Sequence, residues 1–506
     1  MTDVAATVRI GEPRGRWILF ATIFGSGMVF VDGTVVNVAL PRLGEDLGAS
    51  LAGLQWVLNA YTLTLASLIL LGGSLGDRLG RRRVFVIGVV WFSVASVLCG
   101  LAPNTALLII ARGLEGVGGA LLAPASLALI QASFASVDRA KAIGMWSGFT
   151  SVTAAVGPLL GGWLVDAASW RWVFLINVPL ALVVLVVALR HVPESHDPTA
   201  TGSFDAIGAS LGVLALGGIS YALIEAPNQG ATSPGVLAVG VAGVAAAAGF
   251  VAVERRSRRP MLPPGMFASV QFAAANLVTF AVYGAFGGLS LFLILQLQTV
   301  AGFSALLAGS AFIPVTVLML LLSPVAGAVA QRIGPRRPMT VGPLLAAGGV
   351  ALLSRVDAGA SFQTDVLPGV ALFGLGLATT VAPLTATVLG AVPSQHAGLA
   401  SGVNNAVARS GGLIVVAVLP LAVGLSGADY QNPAAFTGPY RTAMLICAGL
   451  LAAGGLLAWW RIRDLAGPDA AGEPEEARRA PACQVTCAVG APPLDPGIAP
   501  RHRQPS

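Results

Sequence analysis

An all-α protein that crosses a lipid bilayer many times is the fold class this sequence predicts, on three observations. Of its 506 residues, 55% are hydrophobic and 10% are charged, whereas a water-soluble domain averages ~25% charged. Mean hydropathy is +0.80, so the chain cannot cover a surface that faces water on every side. Fourteen apolar runs approach the ~20 residues that cross a bilayer as helix, the element whose backbone polar groups pair internally.

The runs lie near 17–39, 52–73, 84–102, 105–130, 141–165, 170–189, 205–225, 234–254, 270–297, 304–330, 339–355, 363–390, 401–424 and 438–460. With a cytoplasmic N-terminus, 23 of the 29 basic residues fall on the inner side. Four (Arg42, Arg171, Arg355, Arg441) fall outside, and two (Arg112, Arg409) lie within spans. One span more or fewer would reverse every later loop and scramble this bias, so both termini are expected in the cytoplasm. The net charge of +6 is no nucleic-acid footprint, because the arginines come in short clusters between apolar runs. The first run follows Arg9, Arg14 and Arg16 as a signal peptide would, but its length, its Asp32 and its lack of a small-residue cleavage site read as a retained span.

Span one carries "FVDGTVVNVALP" (Phe30–Pro41), with Asp32 inside oil-soluble surroundings. A mid-bilayer charge costs ~2.5–3.5 kcal/mol on insertion scales, and such residues face a cavity and a partner. Asp32 lies ~13 Å below the outer end near Pro41, and Arg112 of span four ~12 Å below Asn104, at 1.5 Å per residue. The opposite charges therefore share a depth, and Glu115 follows one turn deeper on the face of Arg112. Burial and a guanidinium act oppositely on the proton affinity of such an acid. The triad reads as a proton-coupling device or as a fixed salt bridge between helices.

Span two holds Asn59 and Tyr61 and leads into "GSLGDRLGRRR" (Gly73–Arg83). This turn aligns without gaps to "GAVAQRIGPRR" (Gly327–Arg337), matching Gly73/Gly327, Arg78/Arg332, Gly80/Gly334, Arg82/Arg336 and Arg83/Arg337. Both copies follow the second span of a six-span set if spans seven and eight are an insertion. Parallel halves of that kind are a transporter architecture with its substrate site between them. Gly76 and Gly80 permit a tight turn. Asp77, flanked by Arg78 and Arg81, is placed to meet arginines or the N-terminus of span thirteen across the halves in one state, which makes the turn a candidate gate as well as a topology anchor.

In span five, "GPLLGG" sets Gly157 and Gly161 four apart on a close-packing face, with Pro158 to bend the helix and Gly162 beside them. Spans seven and eight lack buried charge except at Asp205 and Glu225, and are expected at the periphery. Asn59, Tyr61, Gln296, Gln298, Asn404 and Asn405, with Phe280, Tyr283 and Phe286, are candidates to line a site for amphipathic molecules. Arg409 is either a substrate anchor or part of a structural pair. Cys99 and Cys447 fall in apolar runs, and the spacing of Cys483 and Cys487 matches no metal or redox signature, so neither metal nor cofactor is expected.

These motifs together resemble the major facilitator superfamily, and more narrowly its fourteen-span drug:proton antiporter-2 branch. "GSLGDRLGRRR" is similar to the signature between spans two and three, "RGLEGVGGA" (Arg112–Ala120) to that of span four, and "GPLLGG" to the span-five signature of exporters. "DGTVVNVALP" (Asp32–Pro41) and "SGVNNAVARSGG" (Ser401–Gly412) are similar to the branch's first and thirteenth spans. Three positions depart from the pattern: Glu115 stands where glutamine is usual, Thr153 where glycine is, and Gln331 where the first half has Asp77. The resemblance covers about residues 15–460. It implies a cytoplasmic N-terminus (1–16), a six-helix half (17–189), a linker with two inserted helices (190–269), a second six-helix half (270–460) and a tail (461–506). That tail is rich in Pro, Ala, Gly and charge and is expected to be disordered. The implied activity is efflux of amphipathic drugs or antibiotics across a bacterial inner membrane in exchange for protons, by a monomer in lipid, with no cofactor and no nucleic acid. In exporters the span-five motif is taken to shape the interface that opens outward.

Other classes fit less well. The single lysine, Lys141, precedes Ala142, so no phosphate-binding loop ends in Lys-Ser or Lys-Thr. His191, His196, His396 and His502 fall in loops or the tail, and no catalytic constellation is present. A proton-coupled importer or facilitator, and a non-transporting sensor on the same fold, remain as rivals at this level.

Overall fold

A computed structural model describes residues 8–196, 205–257, 262, 264–392 and 397–464. Helices coincide with all fourteen runs: α1 (Pro13–Leu47), α2 (Leu51–Leu79), α3 (Arg81–Gly100), α4 (Thr105–Ser133), α5 (Ser136–Ala167) and α6 (Trp172–His191). Then follow α7 (Ala206–Gln229), α8 (Pro234–Arg256), α9 (Val270–Val300), α10 (Ala305–Ile333), α11 (Arg336–Leu353), α12 (Phe362–Gly390), α13 (Ala397–Val423) and α14 (Pro433–Arg461). The number of helices that qualify as spans is near the expected fourteen. Among the described residues eleven helices are long and apolar enough to cross a membrane, and α2, bent by 51° between Leu51–Ile69 and Leu71–Leu79, makes twelve. The other two are helical as well: α5 is one helix of 32 residues, and α11 has 18 residues and opens on Arg336 and Arg337.

Local signals set the helix starts. Ser50, Asn104, Asp205, Ser269 and Ser304 each cap a helix by accepting a backbone N–H from three residues on. Pro13 opens α1, and Gly48 closes it in the left-handed region at φ 59°. Lipid supplies no hydrophobic drive between helices, so packing relies on small residues. The backbones of Gly218 (α7) and Gly243 (α8) touch, and Gly118 of α4 lies against the Phe92 backbone of α3. Large side chains such as Leu182, Val241 and Leu321 are 60% or more exposed, a surface suited to acyl chains and not to water.

The end of the bundle that bears residues 13 and 461 is called the terminal end, and its opposite the far end. At the terminal end the two copies of the arginine turn have matching geometry. Gly80 (φ 107°) and Gly334 (φ 84°) make the bends, where an L side chain would be strained. Gly76 is a correction: it sits inside α2, not in the turn. A carboxylate from beyond the sixth helix of each half then receives the helix that starts after the bend. Glu194 accepts from the backbone N–H groups of Arg82 (3.0 Å) and Arg83 (3.1 Å), and Asp464 from that of Arg336 (3.0 Å). Both acids complement the positive end of a helix dipole.

At the far end the halves meet. Gln55 Nε2 and Asn59 Nδ2 of α2 donate to the carbonyls of Val416 (2.7 Å) and Leu413 (3.4 Å) on α13. Gln298 Nε2 donates to Val38 O at 3.0 Å, and the Tyr430 hydroxyl to Ala49 O at 2.9 Å. The backbone contact of Leu51 N with Gly427 O, at 2.8 Å, lies at this end too. The inserted pair is peripheral, with α8 the more exposed, but α7 touches both halves. Trp56 Nε1 donates to Glu225 Oε1 (3.2 Å), and Asn228 Oδ1 accepts from Gly427 N (3.1 Å). The tail beyond 464, with Cys483, Cys487 and His502, lies outside the described residues, as does His396.

Candidate functional site

Helix α1 brings Asp32, and α4 brings Arg112 and Glu115, to one closed point. Arg112 Nη1 lies 2.6 Å from Asp32 Oδ2 and 2.7 Å from Glu115 Oε2, with side-chain exposures of 1%, 0% and 0%. The depth match and the shared face read from the sequence thus correspond to contacts. Arg112 Nε donates to Val57 O at 3.1 Å, where α2 runs alongside. Its guanidinium lies 4.3 Å from the centroid of the Tyr61 ring and 5.7 Å from that of Phe174, so aromatic faces screen the cation from lipid and water. Tyr61 is fixed by donating its hydroxyl to Val29 O at 2.9 Å.

Two carboxylates here share one guanidinium. Ionised together they leave one negative charge uncompensated in a site without water access, which is expensive. Asp32 Oδ1 and Glu115 Oε1 are buried and accept no hydrogen bond among the described residues. The remaining neighbour is Cys99, whose Sγ lies 3.4 Å from Glu115 Oε2. One added proton would neutralise the excess charge and supply an O–H donor. A set with this charge count can take up and release a proton if its exposure changes.

The other predicted residues divide. Asp77 stays on its own side: its Oδ1 accepts from Arg81 Nε (3.0 Å) and Nη2 (2.8 Å), and no described residue of the second half bonds to it. The segment 393–396 that leads into α13 lies outside the described residues. Arg78 lies on the last turn of α2, and Gly73 of the same helix passes Pro124 of α4. Gly157 and Gly161 press α5 against Thr34 and Val35 of α1, while Gly162 and the Pro158 carbonyl meet Ala305, Leu306 and Gly309 of α10. "GPLLGG" thus joins one helix of its own half to one of the other.

Of the candidate lining residues, Gln296 is buried with its Nε2 on Val356 O (2.8 Å). Asn404 donates to Asn276 Oδ1 (3.2 Å) and Thr279 Oγ1 (2.7 Å) of α9. Asn59 and Gln298 serve the far-end contacts, and Tyr61 packs on Arg112. Asn405 is exposed and Tyr283 half-buried, and neither side chain has a hydrogen-bond partner among the described residues.

Sequence reasoning missed Asp166. Its carboxylate oxygens accept from the backbone N–H groups of Ala305 (3.2 Å) and Leu306 (2.8 Å), so the end of α5 caps the start of α10 across the halves. The available signal was spacing, since Asp166 lies four residues after Gly162 on the same helix face. Glu194 and Asp464 were also missed, because nothing local ties them to turns more than a hundred residues away.

The sequence matches the Major Facilitator Superfamily model over residues 22–417. The chain belongs to this superfamily and is a multi-pass membrane transporter by membership. It is 39% identical over 465 residues to the puromycin resistance protein pur8 of Streptomyces alboniger, covering 88% of this chain and 91% of that one. It is 37% identical over 402 residues to the multidrug resistance protein Stp of Mycobacterium tuberculosis, with 79% and 74% covered. With the tetracenomycin C resistance and export protein of Streptomyces glaucescens it shares 37% over 408 residues, 80% and 76% covered. Among solved structures, a POT family transporter superposes with a TM-score of 0.66 at 15% identity, covering 88% of this chain and 95% of that one. A bacterial homologue of the lysosomal transporter Spinster, crystallised inward-facing, gives 0.63 at 17%, with 89% and 97% covered. These last two likenesses concern the fold alone.

Proposed function

We propose that the protein exports amphipathic drugs or antibiotics across a bacterial inner membrane in exchange for protons, as a monomer working by alternating access. The export half of this reading is supported by relatives named for puromycin resistance, multidrug resistance and tetracenomycin C export, at 37–39% identity over most of both chains. The proton half is carried by one observation: two closed-in carboxylates on a single guanidinium, one proton short of neutrality. Six-helix halves at 17–189 and 270–460 would rock about the linker at 190–269, with the terminal end cytoplasmic, as the arginine distribution suggests. On that orientation the far-end contacts close the outer mouth, and the described state faces inward. Rocking that opened the triad to one side and then the other would let Asp32 and Glu115 exchange a proton, with Arg112 as the fixed counter-charge. The turn at Gly73, Gly76, Asp77, Arg78, Gly80 and Arg81 and the face of Gly157, Pro158, Gly161 and Gly162 would govern the gates at the two ends.

The test is expression in an efflux-deficient host challenged with puromycin and tetracenomycin C, the compounds in the names of the relatives above. Protection against at least one, removed by a protonophore, is expected. Asp32→Asn should insert normally and reduce protection to that of the empty host, and Glu115→Gln should lower it partially. Full protection by Asp32→Asn would end the proton assignment, and gradient-driven accumulation would turn the reading to import.

A further inference from the structure

Four ionisable side chains stand near the middle of the helix bundle: Asp32, Arg112, Glu115 and Arg409. The first three bond to one another out of reach of solvent. Arg409 is outside that set. It projects from α13, 12 residues on from Ala397, or ~18 Å along the axis, which is mid-bilayer depth. It has no ion pair and no hydrogen bond among the described residues, and its Nε is buried without an acceptor. The chain treats its other mid-bilayer cation differently, giving Arg112 two carboxylates, a carbonyl and two aromatic faces.

Two phenols, Tyr61 of α2 and Tyr283 of α9, lie near Arg409, and no carboxylate forms an ion pair with it among the described residues. Tyr283 lies 13 residues into α9 from Val270, a depth close to that of Arg409 on a helix running the same way. Its hydroxyl donates to nothing among the described residues. Asn405, one turn nearer the terminal end on the face of Arg409, is exposed and likewise unbonded. On the far side of Arg409, Asn59 and Gln55 bond to the Leu413 and Val416 carbonyls of the same helix. Three unused donors thus stand at neighbouring depths on α9 and α13, on the terminal-end side of these bonds: a guanidinium, a phenol and an amide.

We propose that Arg409, with Tyr283 and Asn405, forms a subsite for an anionic group on the exported molecule, a carboxylate or an ionised enol or phenol. This rests on the export reading above and narrows its cargo to amphipathic acids. A planar guanidinium binds a carboxylate through two parallel N–H bonds, and low surrounding polarity strengthens them. A permanently cationic cargo would meet repulsion at the same point. The triad offers that cargo no compensation, because its acids are enclosed and already bonded to Arg112.

The test is equilibrium binding to the purified full chain in phosphatidylcholine nanodiscs, where no anionic lipid competes. The probes are 7-diethylaminocoumarin-3-carboxylic acid and its ethyl ester, which share the apolar coumarin body and differ in whether the carboxyl group is ionised or capped by an ethyl group. The wild type should bind the acid about 10-fold or more tightly than the ester, as expected for a hydrogen-bonded ion pair. Arg409→Gln should bring that ratio to about one while ester affinity stays within about twofold, and Arg409→Lys should keep much of the preference. Wild-type protein with no preference for the acid, or a monodisperse Arg409→Gln protein with the preference intact, overturns the proposal. If Arg409→Gln does not fold, Tyr283→Phe and Asn405→Ala decide: each should lower the ratio about threefold, and unchanged ratios in both overturn it. Binding is read without a gradient. A lost ratio therefore leaves the export reading standing, and failed export with an intact ratio removes that reading alone.

Discussion

The far and terminal ends of the bundle use their polar side chains in opposite ways. At the far end Gln55, Asn59, Gln298, Tyr430 and Asp166 reach from one half to backbone groups of the other. At the terminal end Glu194 and Asp464 each fasten a helix start within its own half, and Asp77 turns back on Arg81. The far-end bonds make a joint, while the terminal-end bonds make two stiff bodies. A molecule built this way can part at one end without breaking its internal fastenings, and it must break several small contacts to part at the other. Since each contact is to a backbone group, the joint depends on helix position more than on matched side chains.

Gly162→Leu should disturb the far-end joint most. A Cβ at 162 would sit 2.5 Å from the Leu306 Cα, so a larger side chain must drive α5 and α10 apart. Overpacking of this kind costs ~1–3 kcal/mol, or roughly 5- to 160-fold in the population of the far-end-closed state. Spin-label distances between the α1–α2 and α13–α14 loops should lengthen, and unchanged distances would mean that Gly162 does not set the approach. Next in size is Asp166→Ala, which removes two charge-assisted bonds and a dipole contact worth ~1–2 kcal/mol, so about a 5- to 30-fold shift toward far-end opening is expected. Asp166→Asn should give a smaller shift of the same sign. Asp77→Asn should be the smallest in this measurement, because its pair with Arg81 is half-exposed and worth ~0.5 kcal/mol or less. A large far-end change in Asp77→Asn would show that the two ends are not separable in the way argued here.

How much of this was legible in the sequence depended on how local each cause was. The helices followed from apolar run length, and Asp32 met Arg112 because residue spacing from a helix end fixes depth. The arginine turn was legible as a repeat, since glycine, arginine and topology matched twice, yet its mechanics were not. Gly76 reads as a turn residue but continues the helix, and Gly80 alone bends. Glu194 and Asp166 look like ordinary loop and helix-end acids, and their partners lie 112 and 139–140 residues away, chosen by packing that no window reveals. Asn404 and Gln296 likewise read as available polar groups in a membrane, but neighbouring donors and acceptors inside the second half had already claimed them.

The inserted helix α7 leans on both bodies where they join, with Glu225 held by Trp56 and Asn228 by the Gly427 backbone. Any swing that pulls α2 away from α13 must stretch or release one of these grips. On the orientation proposed above, the additional hairpin would act as a check strap on the outer door, its slack setting how wide that door travels before the cargo leaves.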